Sequence, residues 1–163
     1  MNTLIELSEQ LVKILKENEL FITTVESCTG GGVANWITNI SGASEVMKDS
    51  FITYSNEAKI ALGVPEAVID DFTVYSIETS LEMAKAGICS SIKADVGIGI
   101  TGSISRIDPE NPNSTPGEVY ISVVSKDNAL SEKFVFSDTG ERWEVKDRAI
   151  ENALKMAINI ITN

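Results

Sequence analysis

The stretch from Leu20 to Ile37 constrains the fold more than any other part of this chain. An apolar, β-type run from Leu20 to Val25 gives way to Glu26, Ser27, Cys28, Thr29 and three glycines, and then to the helical pattern VANWITNI. A strand that feeds through a glycine-rich turn into a helix is a βα unit, the repeating piece of layered α/β proteins. Glycine also lets backbone approach a ligand closely, and the free N–H groups that open a helix favour an anion or a developing oxyanion. The segment VESCTGGG is therefore also the first place to look for a reactive centre.

The rest of the chain continues in the same alternation. Thr3 to Asn18 carries Leu4, Leu7, Leu11, Ile14 and Leu15 at helical spacing, with Thr3 and Glu6 placed for a capping box. Asp49 to Tyr54 reads as a second strand, Ser55 as the cap of a short helix NEAKIAL that ends at Gly63, and Pro65 as the start of another, PEAVIDDF. Ser76 caps a longer helix to about Ile92, with Leu81, Ala84, Ile88 and Ile92 near one face. Asp95 to Thr101 follows as a strand whose glycines suit close packing of a helix or ligand. Gly102 to Gly117, rich in Ser, Asn and Pro, has no periodicity and reads as a long loop, either functional or disordered. Val119 to Ser125 and Lys133 to Ser137 predict a hairpin across KDNAL. Asp138 or Thr139 then caps a final helix to about Ile161, with Ala149, Ala153, Met156 and Ile160 inward. The expectation is a single α/β domain over 1–163, a three-layer α/β/α arrangement around a mostly parallel mixed sheet with an antiparallel edge.

Composition narrows the chemistry. A formal charge of −11 argues against duplex nucleic acid or an anionic membrane as partner, since both require a positive surface. The start MNTLIELSEQ lacks the pattern of a signal peptide and no apolar run reaches membrane-spanning length, so the expected location is cytoplasmic. Cys28 and Cys89 are then expected as free thiols. The chain contains no histidine, which removes serine–histidine and cysteine–histidine catalysis and histidine-bound zinc within one chain. A base must be Lys, Asp, Glu, Tyr or water.

In folds of this class ligands gather beyond the carboxyl ends of the parallel strands. Ser27 follows the first strand, Tyr54 ends the second, Lys59 lies early in the next helix, Thr101 ends the third strand and Arg142 opens the last helix. Serine needs a base to take its proton, and a desolvated lysine can serve, which makes Ser27 with Lys59 the sharpest catalytic pairing, with the amides of Thr29 to Gly32 as oxyanion hole. The plain alternative is that Ser27 and Thr29 cap the helix and Lys59 is solvated. Cys28 is either an activated thiol or a small buried apolar residue. Tyr54 is either a proton relay or a core aromatic, and Glu26 either a ligand-facing acid or a solvated charge. Arg142 opposes the helix dipole unless an anion or a salt bridge compensates it, and Arg106 either closes the long loop over a substrate or is solvated.

The order VESCTGGG, YSNEAK, Thr73-Val-Tyr-Ser76 with Met83-Ala84, and GITG at Gly99 to Gly102 resembles the CinA C-terminal domain family of competence/damage-inducible proteins. The likeness runs over essentially the whole chain, and TGERWEVKDR is similar to the segment that opens the family's last helix. Active members are nicotinamide mononucleotide deamidases. The resemblance implies Ser27 as nucleophile, Lys59 as base, Tyr54 as an assistant, and Thr29, Gly30, Gly31, Thr101, Gly102 and Arg142 as substrate-site residues. It further implies a small-molecule pyridine nucleotide as substrate, a homo-oligomer, and no metal or cofactor.

Where the family has a glycine-rich segment after the Thr-Gly pair, this chain reads SISRIDPENPNSTPGEVY. Bulky Ile104, Arg106 and Ile107 replace glycines that would let backbone approach a nucleotide. Two readings follow: an active amidohydrolase, or a nucleotide-binding regulatory protein of the same fold that has lost turnover.

Overall fold

The computed structural model describes residues 2–136 and 140–163. The order of elements is α1 (Asn2–Glu17), β1 (Ile22–Glu26), α2 (Gly32–Thr38), β2 (Phe51–Ile52), α3 (Asn56–Leu62), α4 (Glu66–Phe72), α5 (Ile77–Ser90), β3 (Val96–Ser103), β4 (Glu118–Ser125), β5 (Asn128–Val135) and α6 (Arg142–Thr162), with a 3-10 turn at Ala43–Glu45. The strands form one sheet in the order β2-β1-β3-β4-β5. β1 pairs parallel with β2 and with β3; β3 with β4 and β4 with β5 are antiparallel. The sheet is thus mixed as expected, with β2, β1 and β3 as its parallel half. None of the described helices is long and apolar enough to cross a membrane.

From β1 the chain crosses through α2 to one neighbour, then back through α3, α4 and α5 to the other. Right-handed connections taken in opposite directions place their helices on opposite faces of the sheet. One face carries α1, α2 and α6 over Ile22, Ile98, Ile100, Val119, Ile121 and Val123. The other carries a smaller cluster in which Val25 meets Val64, Ile69, Val74, Met83 and Ala86. The strand β3 shows how the sequence sets this up. Val96, Ile98 and Ile100 alternate with Gly97 and Gly99, and a Cβ on Gly99 would lie 2.0 Å from the Ser80 carbonyl oxygen of α5. Glycine is required there because α5 rests almost directly on the strand backbone.

Several boundaries differ from expectation, each for a tertiary reason. α1 already includes Thr3, so no Thr3–Glu6 capping box forms. β2 shrinks to two residues: Phe51 and Ile52 pair in register with Val25 and Glu26, and the Thr53 amide adds one last bond to the Glu26 carbonyl at 2.8 Å before the chain leaves the sheet edge. On α5 the buried residues are Thr79, Ser80, Met83, Ala84, Ala86 and Gly87, whereas Ile92 lies beyond the helix and is 87% exposed. KDNAL is mostly strand: Asn128, Ala129 and Leu130 pair with Ser125, Val124 and Val123, so the turn closes on Lys126 and Asp127 alone. The caps expected at Asp138 or Thr139 lie outside the described residues; α6 is capped by Glu141 in a capping box with Glu144.

Candidate active site

β1 has a strand on each side, β2 and β3, which leave it in opposite directions along the chain. Such a switch point opens a crevice beyond the carboxyl end of the central strand, and Ser27 sits there, one residue past β1. Its amide donates to the Ile100 carbonyl at 3.0 Å, continuing the pairing with β3 and fixing the backbone of the residue. Lys59 approaches from α3, whose N-terminus is capped by Ser55 accepting from the Ala58 amide at 3.1 Å. The Lys59 Nζ lies 3.0 Å from Ser27 Oγ and 2.9 Å from the Thr53 carbonyl oxygen. Lys59 is 1% exposed, which excludes the solvated reading. Burial pulls its pKa down from 10.5 to about 8, so a sizeable neutral fraction exists near neutral pH.

The oxyanion hole expected from Thr29 to Gly32 does not form as a set. The Gly30 amide donates to the Ser27 carbonyl and the Gly32 amide to that of Thr29. The Gly31 amide donates to Glu26 at 3.1 Å. Among the described residues the amides of Cys28 and Thr29 donate to no other residue, and these remain beside Ser27.

Glu26 answers to neither of its two readings. It is fully buried under the turn, where its carboxylate accepts from the Thr24 and Thr29 hydroxyls and from the Gly31, Val33 and Ala34 amides. The opening of α2 is therefore already occupied by an internal carboxylate, and no external anion is needed there. The Thr29 hydroxyl and the Gly31 amide are thereby committed to Glu26 and the Gly30 amide to the Ser27 carbonyl, which leaves the Thr29 amide as the donor of these three residues still open beside Ser27. Gly30 and Gly31 have φ of 62° and 92°, left-handed values that side chains disfavour. Cys28 is the small buried residue of its second reading, its thiol pushed up to about 12 by burial and then by Glu26.

Thr101 is likewise behind the wall of the site. It is fully buried on the α5 side of β3 and donates to the Val74 carbonyl at 3.1 Å. That bond holds the turn at residues 73–76, which bears Tyr75. Gly102, Tyr54 and Arg142 do face the cleft, a space of about 330 Å³ that Ser27 and Cys28 also line. Tyr54 is 68% exposed, so it is no core aromatic, and among the described residues it makes no hydrogen bond to Ser27 or Lys59. Arg142 donates to Ser105 Oγ at 2.9 Å, which ties the long loop to the start of α6. Arg106 also lines the cleft.

Sequence reasoning missed Tyr75, Asp108 and Glu110, all of which line the cleft. The loop folds around Asp108. Its carboxylate accepts from Tyr75 at 2.7 Å, from the Asn111 side chain at 2.8 Å and from the Glu110 amide at 3.0 Å. The spacing Asp-Pro-Glu-Asn is that of a turn closed by an aspartate on the backbone two residues on, the one local signal that pointed to it. The Thr53 carbonyl that anchors Lys59 has no such signal, being backbone.

An α/β fold with a buried Ser–Lys pair at its switch point defines the class of protein. The comparisons with known proteins agree with that class. The CinA C-terminal domain profile matches residues 4–161, and the chain belongs to that family. It is 39% identical over 156 residues to a putative competence-damage inducible protein of Caldicellulosiruptor bescii, covering 95% of this chain and 36% of the relative. A CinA-like protein of Flavobacterium psychrophilum is 38% identical over 147 residues, 90% of this chain and 34% of the relative. The chain thus spans about a third of the length of these curated relatives. Among solved structures, competence/damage inducible protein CihA from Agrobacterium tumefaciens superposes with a TM-score of 0.88 at 30% identity, covering 99% of this chain and 96% of that one. A competence or damage-inducible protein from Enterobacter asburiae gives 0.87 at 28% identity, over 99% of both.

Proposed function

We propose that this chain is an amidohydrolase that converts nicotinamide mononucleotide and water to nicotinate mononucleotide and ammonia. The observation that carries the reading is the Lys59 Nζ at 3.0 Å from Ser27 Oγ, in a lysine sealed from solvent whose pKa is depressed to about 8. A neutral Lys59 takes the Ser27 proton as Oγ attacks the carboxamide carbon. The amides of Cys28 and Thr29 are the available donors for the oxyanion. The C–N bond breaks with the Lys59 proton passing to the departing ammonia, and water then hydrolyses the acyl-Ser27 ester with Lys59 again as base. Arg142 and Arg106 supply positive charge at the cleft for the phosphate. On this reading the protein works in the cytoplasm as a homo-oligomer on a small pyridine nucleotide, with no nucleic acid or membrane as partner.

The second reading, a nucleotide-binding protein without turnover, draws on the loop. Ile104, Arg106, Asp108, Pro109 and Glu110 stand in the cleft where the family resemblance leads one to expect glycines. Ammonia release from nicotinamide mononucleotide by the wild type, Ser27→Ala and Lys59→Ala separates the two. The amidohydrolase reading expects release by the wild type and its loss in Ser27→Ala. Saturable binding with no ammonia favours the second.

A further inference from the structure

Tyr75 and Asp108 themselves take no part in the proposed chemistry, yet both face the Ser27 cleft. Their placement is over-determined. Thr73 has a φ of 70°, a left-handed value unusual for a branched side chain. Its carbonyl accepts from Ser76 at 3.0 Å and from the Thr79 hydroxyl at 2.7 Å, while Thr101 holds the next carbonyl, that of Val74. The turn buries Val74 and presents Tyr75. Tyr75 then donates to Asp108, which Asn111 also holds, and the Asp108 amide donates to Ser114 at 3.0 Å. Strain and hydrogen bonds from two segments thus fix one carboxylate at the cleft wall.

Chemically this wall is a carboxylate held against the phenol of Tyr75, in a cleft that the Tyr54 ring also lines. Tyr75 donates its proton to Asp108 and is itself disfavoured from ionising, first by burial and then by that bond, so the carboxylate carries the negative charge. The hydrogen bonds from Tyr75 and Asn111 hold Asp108 below the ordinary carboxylate range. Arg106 is a neighbouring cation, and no ion pair joins it to Asp108 among the described residues. An aromatic-flanked carboxylate is the chemistry that recognises a delocalised cation. We propose that Asp108, positioned by Tyr75, is a specificity-determining residue of the Ser27 cleft, selecting an amide whose aromatic ring carries a positive charge over the same amide on a neutral ring. The inference rests on the amidohydrolase reading for the identity of the amide.

Nicotinamide mononucleotide and its 1,4-dihydro form share ribose, phosphate and carboxamide and differ in ring charge, which makes them the probe pair. Dissociation constants for both are measured by calorimetry on Ser27→Ala, which holds them unreacted, and on the double variants adding Asp108→Asn or Tyr75→Phe. Ser27→Ala is expected to bind the cationic ring about three- to fivefold more tightly than the neutral one, the scale of one cation–π or charge contact at a partly solvated wall. Asp108→Asn removes that preference and leaves the dihydro form's affinity nearly unchanged. Tyr75→Phe keeps the carboxylate and reduces the preference only in part. Equal affinities in Ser27→Ala, or an equal loss for both ligands in Asp108→Asn, overturn the proposal, the latter being what a merely structural latch would give. Ammonia release by the wild type is followed in parallel. A wild type that prefers the cationic ring and releases no ammonia overturns the amidohydrolase reading and leaves the role of Asp108 standing.

Discussion

Lys59 stands 3.0 Å from Ser27 across a separation of 32 residues, with the Thr53 carbonyl at 2.9 Å on its other side. The carbonyl fixes the direction of the amine, and burial sets its proton affinity. Both a rate and a stability consequence follow from that one contact.

The base form of Lys59 is neutral, so kcat/KM for amide hydrolysis is expected to climb as pH rises through about 8. Stability moves the same way for a different reason. The unfolded chain keeps the lysine proton up to about 10.5, whereas the folded chain releases it from about 8, so between these values the unfolded state binds more protons and stability rises with pH. Lys59→Met is expected to be inactive and yet more stable at pH 7 by about 2 kcal/mol, an advantage that fades above pH 8. Urea unfolding of both proteins at pH 7 and pH 10 reads this; an advantage that does not shrink with pH would contradict it.

Cys28 neighbours the proposed nucleophile but has a thiol pushed up to about 12, whereas Cys89 is exposed. Iodoacetamide at pH 8 is expected to label Cys89 in the native protein and spare Cys28, as read by peptide mass spectrometry. Cys28→Ala is expected to retain ammonia release, and its loss there with the fold intact would transfer the nucleophile assignment away from Ser27.

Glu26 holds the turn that carries Ser27. Glu26→Gln puts an amide where a carboxylate oxygen accepts hydrogen bonds, and at least one donor loses its partner. A destabilisation of about 2–4 kcal/mol is expected, the usual scale for a buried charged acceptor replaced by a poorer one. The measure is the shift in denaturant midpoint; a midpoint equal to wild type would show the carboxylate to be dispensable.

Gly99→Ala places a methyl group 2.0 Å from the Ser80 carbonyl and 2.7 Å from the Ala84 amide. Both contacts are backbone, so α5 has to move away from β3, at a cost of about 3 kcal/mol. Thermal unfolding is expected to show a clear drop in Tm, and an unchanged Tm would mean that α5 packs less closely than described.

The alternating pattern of apolar residues and glycines in β3, the βα unit at Leu20 to Ile37 and the caps Ser55 and Ser76 were legible in the sequence because each depends on neighbours within a few residues. So was the gathering of Ser27 and Lys59 at one edge, because strand ends in such a sheet converge. What tertiary structure alone decided is which polar group meets which. Glu26 reaches forward to the Gly31 amide, one of those expected for an oxyanion, and to the Val33 and Ala34 amides beyond it, and Thr101 turns to Val74, not to the cleft. Tyr75 finds Asp108 33 residues away. A buried polar group must find a partner wherever the packing supplies one, and hydropathy and spacing along the chain carry no record of that choice.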